Sequence, residues 1–145
     1  MNIIYTTQSN SLNLFYYFNK VIREKHPKGN SAFTVADSVN YLKWTKSHKN
    51  LEKDYIVLKE WEITNKKDSY IDYSLLNQYE RYLGGPGLFG AIVADRRLMM
   101  GKDCSYSQDY RRRFSDLELL SILQNATIEA DNLIKNLKPD VAYSF

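Results

Sequence analysis

The strongest constraint on the fold is an alternation of two periodicities along the first half of the chain. Short runs rich in β-branched and aromatic residues, Asn2–Thr7, Ala32–Ala36 and Tyr55–Leu58, are separated by segments whose apolar residues recur every three or four positions. From Leu12 to about Lys25 this spacing is carried by Leu14, Phe15, Phe18, Val21 and Ile22, and His26-Pro27-Lys28-Gly29 supplies the stop. Asp37 or Ser38 is placed to cap a second helix from Val39 to about His48. Helices inserted between strands allow the strands to run parallel, so the pattern predicts an α/β three-layer sandwich: a mostly parallel sheet, right-handed crossovers and helices on both faces. Ligands of such sheets bind outside the carboxyl ends of the strands, which here means Thr7 to Ser11, Asp37-Ser38, the turn after Leu58 and whatever follows Phe145.

Beyond Leu58 the chain is polar to Asp68, with Glu60-Trp61-Glu62-Ile63 alternating as either a strand extension or a covering loop. Ile71, Leu75, Tyr79 and Tyr82 or Leu83 mark another amphipathic helix, ended by Gly84-Gly85-Pro86. Leu88, Ile92, Asp95 and Met99 then predict a short helix between Pro86 and Gly101. Ser115-Asp116-Leu117-Glu118 has the form of a capping box, in which Ser and Glu each satisfy a backbone donor at a helix start. The helix it opens keeps one apolar face from Leu119 to Leu137, and Lys138-Pro139-Asp140 ends it before a fourth strand, Val141–Phe145. An α/β sheet ordinarily continues from such a strand into a further loop and helix, so residues 1–145 are expected to be a single domain within a longer protein.

Composition removes several function classes. The chain has 145 residues, one cysteine (Cys104) and two histidines, His26 and His48, which leaves no disulfide framework and no metal-ligand spacing. A reducing compartment and no structural zinc follow. A net charge of +3 is mild, and no RNP motif or Cys/His finger is present, so nucleic acid is not an expected partner. Walker A, GxGxxG, HExxH and Ser-His-Asp patterns are missing as well, and no segment approaches the ~20 apolar residues of a membrane span.

Two regions remain as candidate sites. The loop after the first strand offers Gln8, Ser9 and Asn10 beside a helix start, where hydroxyls, amides and free backbone donors can hold an anion or sugar hydroxyls; ordinary helix capping explains the same residues. The stretch from Gly84 to Phe114 gathers glycines with two arginine clusters, Asp95-Arg96-Arg97 and Asp109-Tyr110-Arg111-Arg112-Arg113. Guanidinium forks fit phosphate or carboxylate in a bidentate manner, with Asp95 or Asp109 orienting an arginine or acting as a base. Internal salt bridges pinning a glycine-rich loop are the alternative. Met99-Met100 reads as packing, and Cys104, with no histidine near it in sequence, has no support as a nucleophile.

The motifs GGPGLFGAIVADRR, QDYRRRFS and the closing LKPDVAYSF resemble the N-terminal region of bacterial surface-polysaccharide biosynthesis proteins, the capsule-type glycosyltransferase-like group. The likeness is carried by Leu75 to Phe145; before Lys67 it rests on strand and helix order alone. It implies the first Rossmann-like half of a two-domain GT-B enzyme, facing a glycan or lipid-linked glycan acceptor, while a second domain outside this chain holds the nucleotide sugar. It implies no cofactor in this chain, a cytoplasmic location with the parent peripheral to the inner face of the membrane, and no turnover by residues 1–145 alone. A stand-alone Rossmann-like module that binds a small anion or a protein partner is the alternative.

Overall fold

The computed structural model describes residues 1–7, 11–48, 51–84, 87–94 and 114–144. Strands β1 (Ile3–Thr7), β2 (Ser31–Val35), β3 (Ile56–Lys59) and β4 (Val141–Ser144) form one sheet in the order β3-β2-β1-β4, with every neighbouring pair parallel. Each strand lies within one residue of the run expected from sequence. Seven helices are described: α1 (Leu12–Lys25), α2 (Ser38–Ser47), α3 (Leu51–Asp54), α4 (Glu60–Asn65), α5 (Tyr73–Tyr82), α6 (Leu88–Ala94) and α7 (Asp116–Leu137).

The chain forms two compact units, Met1–Glu62 with Ala130–Phe145, and Ile63–Glu129. In the first, alternate strand residues point to opposite faces, as the period of a strand requires. Ile3, Tyr5, Phe33 and Val35 pack under Leu12, Phe15 and Tyr16 of α1, Trp44 of α2 and Leu51 of α3. Ile4 and Ala32, on the other face, pack against Leu133 and Leu137 of α7. With helices on both faces of a parallel sheet, this unit is a Rossmann-like three-layer sandwich. Its sheet is buried on both sides at β2, which is why that strand reads as continuous small and apolar residues rather than as an alternation.

The amino ends of the strands are tied by polar contacts. Arg23, in the last turn of α1, donates to the carbonyls of Met1 (2.8 Å) and Asn30 (2.7 Å) and to Ser31 Oγ (3.1 Å). Asn2 donates through Nδ2 to the Leu137 carbonyl (2.6 Å) and accepts from the Asn30 N–H (2.8 Å), fastening β1 to the end of α7 and to the start of β2. Gly29 has φ +122°, and a Cβ there would strike the backbone of Met1, so only glycine fits this turn.

Two sequence expectations change here. The buried face of α1 is Leu12, Phe15, Tyr16 and Asn19, while Leu14, Phe18 and Val21 are exposed. Both sets have helical spacing. The buried one carries Leu12, Phe15 and Tyr16 into the apolar cluster and brings Asn19 to the sheet, where its Oδ1 accepts from Tyr5 OH (3.2 Å) and Ser31 Oγ (2.7 Å). Residues Glu60 to Ile63 lie in the short helix α4, neither strand nor loop, and Trp61 reaches back onto Tyr41 with ring centroids 5.4 Å apart.

The second unit packs Ile71, Leu76 and Ile92 against Leu119, Ile122 and Leu123 of α7. Leu76, not the expected Leu75, is the buried residue of α5, and Tyr82 and Leu83 are exposed. A polar strap fastens the segment before α5 to α7. Asp68 Oδ2 accepts from Gln124 Nε2 (3.2 Å) and Asn125 Nδ2 (2.8 Å), and Gln124 Oε1 accepts from the Asp72 N–H (2.7 Å). The capping box forms as its sequence requires: Glu118 Oε2 accepts from the Ser115 N–H (2.9 Å), and Ser115 Oγ accepts from the Glu118 N–H (3.3 Å).

Candidate functional site

The register of the sheet brings the carboxyl ends of three strands level, because Thr7 pairs with Val35 and Val35 with Lys59. Thr7, the last residue of β1, is buried, and its hydroxyl donates to the Thr34 carbonyl of β2 (2.5 Å). The Ser11 carbonyl accepts from the Phe15 N–H (2.9 Å) as α1 begins. Ser11 stands at the N-cap of α1 and makes no side-chain cap hydrogen bond there.

Beside it, at the end of β2, Asp37 caps α2. Its Oδ1 accepts from the Asn40 N–H (2.8 Å) and its Oδ2 from Asn40 Nδ2 (2.7 Å), which fixes the carboxylate in one orientation at the rim of the sheet. At the end of β3 a cluster appears that sequence reading missed. Lys59 Nζ lies 2.7 Å from Glu52 and 3.7 Å from Glu62, and 4.9 Å from the centre of the Tyr41 ring, while the Tyr41 hydroxyl donates to Glu52. Lys59, then Tyr41, holds the Glu52 carboxyl below the usual range, and the Glu52 bond raises Lys59. The signal in the sequence was only a lysine ending a strand; Glu52 and Tyr41 are brought to it by α3 and α2, which no local pattern foretells. With its charges mutually paired, the cluster anchors the short elements around β3.

All ten residues singled out from the sequence lie outside the described residues: Gln8, Ser9 and Asn10, bracketed by Thr7 and Ser11, and Asp95, Arg96, Arg97, Asp109, Tyr110, Arg111 and Arg112, bracketed by Ala94 and Phe114. The first three follow β1 in sequence and belong to the unit of Met1–Glu62 with Ala130–Phe145; the others belong to the unit Ile63–Glu129. Among the described residues no group of three or more His, Cys, Asp and Glu side chains could hold a metal ion, and no helix is long and apolar enough to cross a membrane.

A parallel β3-β2-β1-β4 sheet between helices defines the class of protein: a Rossmann-like α/β module. No family model matches the chain, and neither a curated protein nor a solved structure matches it at a significant level.

Proposed function

We propose that this chain is the acceptor-side, Rossmann-like half of a glycosyltransferase-like protein of bacterial surface-polysaccharide biosynthesis. The observation that carries the reading is the parallel sheet with helices on both faces, the architecture that the resemblance of Leu75 to Phe145 implies for a first GT-B half. Gln8, Ser9 and Asn10 follow in sequence the carboxyl end of β1, the end of a strand at which such folds bind ligands. In this reading the anomeric carbon of a nucleotide sugar, held by a second domain, loses its bond to phosphate and gains one to an acceptor hydroxyl. The hydroxyl proton passes to a base and the nucleotide diphosphate or monophosphate leaves. Arg96, Arg97, Arg111 and Arg112 sit close to the acceptor or to a phosphate, where a guanidinium offers two parallel bonds that an ammonium cannot.

The test is donor-dependent transfer by the complete gene product, assayed with a panel of nucleotide sugars and membrane-derived lipid-linked glycan, and repeated with Arg97→Lys and Arg111→Lys. Labelled sugar appearing in glycan, with at least one variant losing turnover at unchanged melting temperature, supports the reading. Saturable binding of an anionic ligand without transfer by any donor supports the stand-alone binding module instead. Residues 1–145 alone are expected to show no turnover, because transfer takes place between two domains that together exclude water.

A further inference from the structure

The amide of Asn19 is held in one orientation by hydrogen bonds that start at the end of α1. Arg23 donates to Ser31 Oγ through both Nε (3.1 Å) and Nη2 (2.5 Å), which fills the two lone pairs of that hydroxyl. The hydroxyl can then only donate, and it does so to Asn19 Oδ1 (2.7 Å), as does the Tyr5 hydroxyl (3.2 Å). An amide nitrogen accepts no hydrogen bond, so the side chain cannot be turned over, and both Nδ2 protons point away from Ser31. Asn19 is 0 % exposed, and among the described residues its Nδ2 has no hydrogen-bond partner.

A buried amide donor without an acceptor is rare in folded proteins, because it forfeits the water that it bonds in the unfolded chain. Trp44 Nε1 is also buried without a hydrogen-bond partner among the described residues, but its indole stands steeply inclined to Tyr16 and Phe33, with centroids 5.9 and 5.2 Å away, so aromatic faces are at hand for its N–H. Asn19 has the Tyr55 hydroxyl instead. Tyr55 packs edge-on to Tyr16 and Phe33 just before β3; burial and then Tyr16 raise its pKa, and Asn19 works against the rise, as a donor facing the phenol oxygen does. The amide and the phenol thus face each other without a direct hydrogen bond, which is the arrangement of a pair bridged by water. We infer that one internal water molecule is bound between α1 and the sheet, accepting from Asn19 Nδ2 and donating to the Tyr55 hydroxyl. Asn19 then joins α1 to β1 through Tyr5, to β2 through Ser31 and to the start of β3 through the water.

Two measurements on the unaltered chain test this, so neither depends on a variant that folds. A crystal structure fine enough to place internal waters is expected to show a density peak within hydrogen-bond distance of both Asn19 Nδ2 and Tyr55 Oη. Nuclear Overhauser spectra of the isotope-labelled chain are expected to show a cross-peak between the Asn19 side-chain amide and water, with the sign of a long-lived bound molecule. In Tyr55→Phe, which removes one partner and keeps the aromatic packing, the bound water is expected to exchange about tenfold faster, the effect of one lost hydrogen bond. A direct bond from Nδ2 to Tyr55 Oη with no density between them overturns the assignment. So does an amide turned to place Oδ1 toward Tyr55, a missing water cross-peak, or an exchange rate that Tyr55→Phe leaves unchanged.

Discussion

Arg23 and Gly29 show how much of the sheet's amino end depends on single residues. The Arg23 guanidinium serves two carbonyls and a hydroxyl at once, a geometry that requires its planar fork. Arg23→Lys should therefore lower stability by roughly 1.5–3 kcal/mol, the range for bonds made by a charged donor, even though the charge is kept; a urea titration followed by circular dichroism measures it. Gly29→Ala meets both a backbone clash and a φ of +122°, and should destabilise by at least about 1–3 kcal/mol in the same titration. A third position points the other way. Lys138 stands at φ 49° just past α7, in the left-handed region and before a proline, so Lys138→Gly should raise stability by on the order of 1 kcal/mol. The pattern shows only that Gly29 and Lys138 lie in helix stops; the contacts of Arg23 and of Gly29 with Met1 depend on residues more than twenty positions away.

Among the elements, α7 is the one whose sequence specifies it most completely. Its capping box and stop each act within a few residues and form as read, whereas its apolar face is buried at Leu119, Leu123, Leu133 and Leu137 but leaves Ile134 exposed. Ser115→Ala should cost about 1 kcal/mol. The Glu118 carboxyl is pushed down to about 2, first by Lys67 at 2.6 Å and then by the N–H and hydroxyl of Ser115. A carboxyl whose folded pKa is depressed contributes stability that is complete above its unfolded pKa of about 4.3 and is lost as pH falls toward 2. The melting temperature of the native protein should thus fall more steeply than that of Glu118→Gln between these two values, with the two curves closest at the acid end. Helix α1 is the contrary case. Its two apolar faces are equally periodic, and choosing between them needs the sheet beneath, against which Leu12, Phe15 and Tyr16 pack and where Tyr5 and Ser31 donate to Asn19 Oδ1.

For the whole molecule, the two compact units have separate apolar clusters, so truncating one should register in that cluster's own probes. Leu119→Ala opens a cavity among Ile71, Leu76 and Ile92 and should cost about 2–5 kcal/mol, read as lost amide protection in the unit Ile63–Glu129. The strand-helix alternation determined by itself that the chain forms an α/β sheet, where its four strands lie and that they run parallel, because hydrophobic period and capping are local and crossovers between successive strands leave few other topologies. It also marked Thr7 to Ser11 as the exit from the sheet. Tertiary structure alone decided which face of α1 is buried, that Leu76 rather than Leu75 enters the core, that Glu60 to Ile63 coil as α4, and that Lys59, Glu52 and Tyr41 meet. Those outcomes turn on which of several locally equivalent surfaces finds a partner, and a partner dozens of residues away leaves no mark on the periodicity of the segment it selects.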